Sequence, residues 1–324
     1  MILKIEKQNE YELLDSGNGE KLERYGSYVL RRPDPEALWQ KSKDQIFWGK
    51  ADFQFVRSGS KTKWIVKDGT PKGWDINYGG LNFSIRPTSF KHTGLFPEQL
   101  PNWQWMEKII TNYKLQITNE NSIGSGERPC KDGPWGGPLK DRPLGKALRS
   151  EPISVLNLFA YTGGATLACA KAGAEVCHVD GSKTAVEWAR VNAKLSNLEN
   201  TPIRWIVEDV IVFLKREIKR GRRYDAIIMD PPSFGHGPKD ELWKIEEHFL
   251  ELMKLCKEIL SDEPLFILIN GYTAGYSAIV YENNLKDMMK DRKGKIEIGE
   301  LAIIETDSDR LLPCGIFARW SRNN

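Results

Sequence analysis

Cysteine is scarce in this chain of 324 residues: five, at positions 130, 169, 177, 256 and 314, with none in a C-x-x-C pair. That scatter argues against a disulfide framework and against a structural zinc site. Histidine is scarcer still, four residues without an H-x-x-x-H pair, so no metal site is expected. Long apolar runs are missing; the most apolar stretch, Leu265 to Ile269, has the length of a strand, not of a membrane span. The first residues, Met1-Ile2-Leu3-Lys4-Ile5-Glu6, carry no apolar signal core, and a soluble cytoplasmic protein without membrane contact is the expectation. A surplus of one charge is lacking too. The 47 basic and 44 acidic residues leave +3, which neither requires nor excludes a polyanionic partner and leaves any steering to local patches. Tryptophan is plentiful, with 11 residues, most expected in packing and a minority available as stacking surfaces.

Apolar patterning divides the chain into three parts. Residues 1–90 read as a small β-rich domain of short runs broken by glycine: 11–17, 25–31, 53–56, 64–66 and 81–85. Residues 91–150 read as a linker helix over 102–115, where Trp105, Ile109, Ile110 and Tyr113 recur at helical spacing, and then a mobile insertion over 118–150. The insertion's Lys131, Lys140, Arg142, Lys146 and Arg149 offer contacts to a nucleic-acid backbone. Residues 151–324 alternate regularly. Strands are predicted at 153–158, 174–179, 203–207, 224–229 and 265–269, and helices at 164–172, 182–197, 210–220, 240–260 and 276–290. This pattern implies an α/β fold, a mainly parallel Rossmann-like sheet covered on both faces. Two last strands, 301–305 and 315–320, add a terminal antiparallel hairpin.

Three strand ends carry the chemistry. After the strand Ser154 to Leu158, the turn Phe159-Ala160-Tyr161-Thr162-Gly163-Gly164 opens a helix, and its glycines allow a sharp turn and close approach to a ligand. The turn lacks the full G-x-G-x-x-G pattern of a pyrophosphate site, so a nucleoside with an amino-acid tail fits better than a dinucleotide. Asp180, followed by Gly181, ends the second strand and can receive both hydroxyls of a ribose; helix capping is its plainer role, for which Ser182 is the better candidate. Asp209 after the third strand can accept from an adenine amine while Val210 closes over the ring, with capping again the competitor. Asp230-Pro231-Pro232-Ser233-Phe234 after the fourth strand is the sharpest signal. Two prolines fix the backbone and hold carbonyls and the Asp230 carboxylate toward whatever lies beyond the cofactor.

With these motifs the sequence resembles the class I S-adenosylmethionine-dependent methyltransferases, and among them the bacterial 23S ribosomal RNA methyltransferase family. The likeness includes Asn157 to Gly163, Asp180, Glu208-Asp209, Asp230 to Phe234, and upstream Lys91-His92-Thr93-Gly94-Leu95-Phe96-Pro97-Glu98-Gln99. It implies S-adenosylmethionine as cofactor and RNA, ribosomal RNA foremost, as partner. By this likeness Phe159, Tyr161, Thr162 and Gly163 surround the methionine portion, Asp180 holds the ribose, Asp209 lies near the adenine, and Phe96 and Gln99 close the pocket. Asp230 and Pro231 position the acceptor, and Phe234 is placed to stack on a flipped base. Methylation of a pyrimidine at carbon 5 needs a cysteine nucleophile. Ile269-Asn270-Gly271-Tyr272-Thr273 has none after the fifth strand, which leaves Cys314 as a remote candidate and disfavours carbon 5; a ring nitrogen, an amine or a ribose hydroxyl stays open, a base nitrogen being the leading expectation. A basic rim of Arg86, Lys91, Lys239 and Arg310 is expected at the mouth, where His236 can assist deprotonation. Protein or small-molecule methylation is the alternative, and a non-catalytic RNA-binding protein that keeps the sheet is a third, less favoured reading.

Overall fold

The computed structural model describes residues 1–59, 61–89, 91–124, 152–272 and 275–323. In chain order the strands are β1 (Ile2–Ile5), β2 (Tyr11–Gly17), β3 (Glu20–Tyr25), β4 (Tyr28–Pro33), β5 (Phe53–Ser58), β6 (Lys61–Val66), β7 (Trp74–Tyr78), β8 (Leu81–Ile85), β9 (Ser154–Leu158), β10 (Glu175–Asp180), β11 (Ile203–Val207), β12 (Ala226–Met229), β13 (Phe234–His236), β14 (Leu242–Lys244), β15 (Phe266–Gly271), β16 (Gly294–Ile304) and β17 (Leu311–Arg322). The helices are α1 (Gln45–Trp48), α2 (Leu100–Gly124), α3 (Gly164–Lys171), α4 (Lys183–Leu195), α5 (Val210–Lys219), α6 (Ile245–Ile259) and α7 (Ala278–Met289). Among the described residues no helix is long and apolar enough to cross a membrane.

An eight-stranded sheet in the order β1-β16-β17-β15-β12-β9-β10-β11 organises the molecule. β15, β12, β9, β10 and β11 are parallel, and β17 runs antiparallel to β15 and β16. β12 and β15 are buried at every residue, as central strands covered on both faces must be. Alternate residues feed two cores. Val155, Val176, Ile228 and Leu268 face α2, α3 and the N-terminal strands, while Leu156, Val179, Ile227 and Ile269 face α5, α6 and α7. Because β10 and β12 flank β9 on opposite sides, the sheet reverses direction there, and the carboxyl ends of β9 and β12 frame a crevice.

The N-terminal part forms a five-stranded sheet, β2 to β6, and the hairpin β7–β8. Three sequence expectations change here. β1 leaves this part and pairs parallel with β16, too short for its alternation to be read. The predicted strand 25–31 holds over 28–31, in β4, but its first residue ends β3 and the chain turns between them at Gly26, φ +60°. The predicted helix 240–260 starts only at Ile245, because Leu242–Lys244 pairs with Phe234–His236 and the Trp243 indole donates to the Pro232 carbonyl at 2.6 Å. α2 extends past the predicted 102–115 to Gly124. The remainder of the predicted insertion, with its five basic residues and Cys130, lies outside the described residues.

Two details place the site. Hairpin β7–β8 docks on α4: Asn192 Oδ1 accepts from the Ser84 N–H at 2.9 Å and the Trp188 indole donates to the Ser84 carbonyl at 2.9 Å. In the terminal hairpin, Leu301 pairs with Gly315 and Ala302 with Pro313, so Cys314 is the extra residue of a β-bulge. Bulges re-aim side chains, and this one faces the crevice.

Candidate active site

The crevice is a cleft of about 370 Å³ at the carboxyl ends of β9, β10, β11, β12 and β15. Its floor is the β9–α3 turn, where Phe159 (φ 55°) and Tyr161 (φ 48°) both adopt the left-handed conformation. That conformation is uncommon for bulky residues, costs of order 1–3 kcal/mol at each, and persists only where the surroundings over-determine it. Here Ala160 N–H donates to the Val179 carbonyl, Tyr161 N–H donates to Asp180 Oδ2 at 2.8 Å, and Gly163 N–H donates to the Ala160 carbonyl. The rings add to the restraint: Phe159 packs 4.9 Å from Trp243, and Tyr161 packs 5.5 Å from Phe96.

Asp180 thus clamps the floor: its second oxygen accepts from the Ser182 N–H at 2.8 Å, and burial pushes its carboxyl above the usual aspartate value. Ser182 caps α4. Gly181 lines the cleft, where a Cβ would stand 3.3 Å from the His236 carbonyl. Asp209 caps α5 through Val212 N–H at 2.9 Å and also lines the cleft with Val210, so capping and a cleft position coexist. Phe96 and Gln99 line it from the linker.

Thr162 and Gly163 lie behind the cleft instead of in its wall. The Thr162 hydroxyl donates to the Gly94 carbonyl at 2.6 Å, and its own carbonyl accepts from Asn192. Thr162 therefore pins the linker to the floor. Gly163 caps α3 at φ +88°, with Ala189 at 3.0 Å from any added Cβ.

Asp230 ends β12 at the cleft, followed in the wall by Pro231, Pro232 and Ser233. The surrounding protein raises its carboxyl to about 6, although water reaches it from the open cleft, and no described side chain pairs with it. Phe234 is absent from the wall. Its ring is 56 % exposed and sits edge-on to His236 at 5.2 Å, because the β13–β14 pairing turns it outward. His236 lines the cleft and meets Asp240 at 2.8 Å.

The expected basic rim does not assemble as a set. Lys91 lies 5.7 Å from the Tyr272 ring and Lys239 is exposed on the β13–β14 turn, whereas Arg86 stacks on Trp188. Arg310 is committed to Glu305 and the carbonyls of Ser16 and Gln40. Sequence reasoning missed wall residues delivered by distant segments, notably Trp243, Tyr272 and Leu301; Glu98 was noted only as part of the linker segment and Cys314 only as a remote nucleophile. Cys314 is no nucleophile as it stands: its thiol donates to the Leu312 carbonyl, and burial pushes its pKa far above the ordinary value.

The donor set fits a nucleoside with an amino-acid tail. Carboxylates stand at the ends of β10 and β11, Val210 offers an apolar face, Gly181 leaves room, and Gln99 faces the cleft beside the strained backbone of the floor. A parallel sheet with one antiparallel strand between β15 and β16, bearing this donor set at its switch point, defines a methyltransferase of the S-adenosylmethionine class. No family model matches the chain. A solved S-adenosylmethionine-dependent methyltransferase from Agrobacterium tumefaciens is 34 % identical, with coverage of 100 % of this chain and 94 % of that one and a TM-score of 0.84. A solved chain from Streptococcus mutans, 17 % identical over 96 % of this chain and 75 % of its own, has a TM-score of 0.64 and speaks to the fold alone. Among curated proteins, ribosomal RNA large subunit methyltransferase K/L of Syntrophotalea carbinolica is 35 % identical over 124 residues, 38 % of this chain. Ribosomal RNA large subunit methyltransferase I of Aeromonas salmonicida is 43 % identical over 81 residues, 25 % of this chain. The matches span only 17 % and 20 % of those two relatives. The chain belongs to the S-adenosylmethionine-dependent methyltransferases, and S-adenosylmethionine is its cofactor.

Proposed function

We propose that this enzyme methylates RNA, with a ring or exocyclic nitrogen of a ribosomal RNA base as acceptor. The observation that carries the reading is Asp230: a carboxylate at the switch point, open to the cleft and without a side-chain partner among the described residues, on a backbone stiffened by Pro231 and Pro232. The cofactor supplies an activated methyl group, so the protein's task is alignment and a destination for the acceptor's proton. Asp230 receives that proton, and its elevated pKa makes it a better base than an ordinary aspartate. In this reading Asp180 holds the ribose, Asp209 and Val210 hold the adenine, and Phe96, Gln99, Phe159 and Tyr161 enclose the methionine portion. Thr162 and Gly163 serve the same end from behind, by fixing the floor. The neutral, hydrogen-bonded Cys314 disfavours covalent addition to a pyrimidine and so supports a nitrogen acceptor. The ribosomal assignment rests on the curated relatives, whose names specify large-subunit ribosomal RNA.

The test supplies S-adenosylmethionine labelled in its methyl group to the purified enzyme with RNA and protein from cells lacking the gene. RNase-sensitive label that is absent with Asp230→Asn is the expected result, and nucleoside analysis then locates the methylated atom. Protease-sensitive label would replace this reading with protein methylation.

A further inference from the structure

Glu98 lines the cleft and has no place in the mechanism above. It sits in the short turn Pro97–Gln99 ahead of α2, 5 % exposed, and forms part of the wall shared by the cleft and a small side cavity next to Arg32, Lys91 and Tyr272. The neighbouring cations are committed elsewhere: Lys21 to Asp34 at 3.2 Å and Glu23 at 3.6 Å, Arg32 to Glu23 at 2.5 Å. Among the described residues, no side chain hydrogen-bonds to the Glu98 carboxyl or pairs with it. Other buried acids of the molecule are held differently. Glu12, Glu23 and Glu217 each accept hydrogen bonds from an arginine, and each is held below the usual glutamate value. Burial instead raises Glu98 to about 7, so near neutrality it can donate or accept a hydrogen bond.

The Glu98 carboxyl meets its own backbone N–H and no described side chain, and buried carboxyls that no cation pairs with concentrate where a ligand completes them. Leu301, Cys314 and Tyr272 belong to the same cleft wall, and Tyr272 is half-exposed to it. A slot that sets an aromatic face and apolar side chains beside a buried carboxyl suits a flat ring read along one edge.

We propose that Glu98 reads the methyl acceptor, its carboxyl hydrogen-bonding one edge of a planar nitrogen heterocycle that lies along Tyr272 and turns its nucleophilic nitrogen to Asp230. The proposal rests on the RNA reading only for the macromolecule that carries the heterocycle.

Glu98→Ala and the near-isosteric Glu98→Gln test it, assayed beside the wild-type enzyme with methyl-labelled S-adenosylmethionine and, separately, the RNA, protein and small-molecule fractions of cells lacking the gene. S-adenosylhomocysteine binding, followed by calorimetry, serves as the check on folding and on the cofactor site. Glu98→Ala should lower kcat/KM for RNA about 10- to 100-fold, chiefly through KM, as loss of one buried hydrogen bond predicts. Glu98→Gln should recover part of that loss, with S-adenosylhomocysteine affinity unchanged in both variants. A parallel loss of S-adenosylhomocysteine affinity would assign Glu98 to the cofactor and overturn the proposal; wild-type kcat/KM in both variants would do the same. Label that enters only a free heterocyclic small molecule, and is lost with Glu98→Ala, would sink the RNA reading and leave this one standing. Label confined to protein would sink both.

Discussion

Two aspartates at the ends of the strands on either side of β9 do different work because their surroundings differ. Asp180 spends its oxygens on the Tyr161 and Ser182 N–H groups, which makes it a fixed part of the floor as well as the proposed ribose ligand. Asp180→Ala leaves both donors without their acceptor and releases the left-handed Tyr161. S-adenosylhomocysteine affinity should fall on the order of 100-fold by calorimetry, since hydrogen bonds to a charged group contribute about 1.5–3 kcal/mol each. Asp230 spends its oxygens on no side chain among the described residues, which is what a proton acceptor requires. Its carboxyl is raised to about 6 and serves as a base only when ionised, so kcat should climb as pH rises through about 6 and level off above it. Asp230→Asn should lower kcat roughly 100- to 10,000-fold, abolish that pH limb and leave S-adenosylhomocysteine binding intact. A limb at the same pH in the variant would mean that another group titrates.

At the scale of elements, the linker His92 to Gln99 is held by close packing as much as by hydrogen bonds. Gly94, at φ +97°, passes so close to Trp188 that an added Cβ would stand 2.2 Å from the indole. Gly94→Ala should therefore dislodge Phe96 and Gln99 from the cleft. We expect a destabilisation of about 1–3 kcal/mol in urea unfolding together with a marked loss of S-adenosylhomocysteine affinity. The need for glycine at this point was not legible in the sequence, because the indole comes from a helix far along the chain. What was legible is local. The parallel strands announced themselves through continuous apolar runs, and Asp180, Asp209 and Asp230 were found because a strand-end position is defined by the strand itself. β3 was hidden because its buried residues include Glu23, in ion pairs with Lys21 and Arg32, so polarity masked the period-two pattern. β14 was lost inside an assumed helix because Trp243 fits either period, and only its bond to Pro232 decides between them. Glu98, Tyr272 and Cys314 reach the cleft by tertiary approach from three separate segments, so that even where the segment or the residue was noticed its place in the wall was not legible.

At the scale of the whole molecule, one buried side chain ties the N-terminal part to the cofactor site. Asn192 on α4 accepts from Ser84 N–H on β8 and donates to the Thr162 carbonyl behind the floor. The same Thr162 holds the linker through Gly94, so hairpin, helix, floor and linker form one connected network. A network of this kind couples stability to ligand binding. S-adenosylhomocysteine at 100 times its Kd should add about 2.7 kcal/mol to the folded state by mass action, and hydrogen exchange should slow in β7–β8 as well as around the cleft. Asn192→Ala leaves the Ser84 donor and the Thr162 acceptor buried without partners, at about 1–3 kcal/mol each. The variant should therefore unfold at lower urea and bind S-adenosylhomocysteine more weakly. Its added ligand should protect the cleft while β7–β8 exchanges at the ligand-free rate. Equal protection of hairpin and cleft in the variant would show that the coupling runs through the sheet instead of through Asn192.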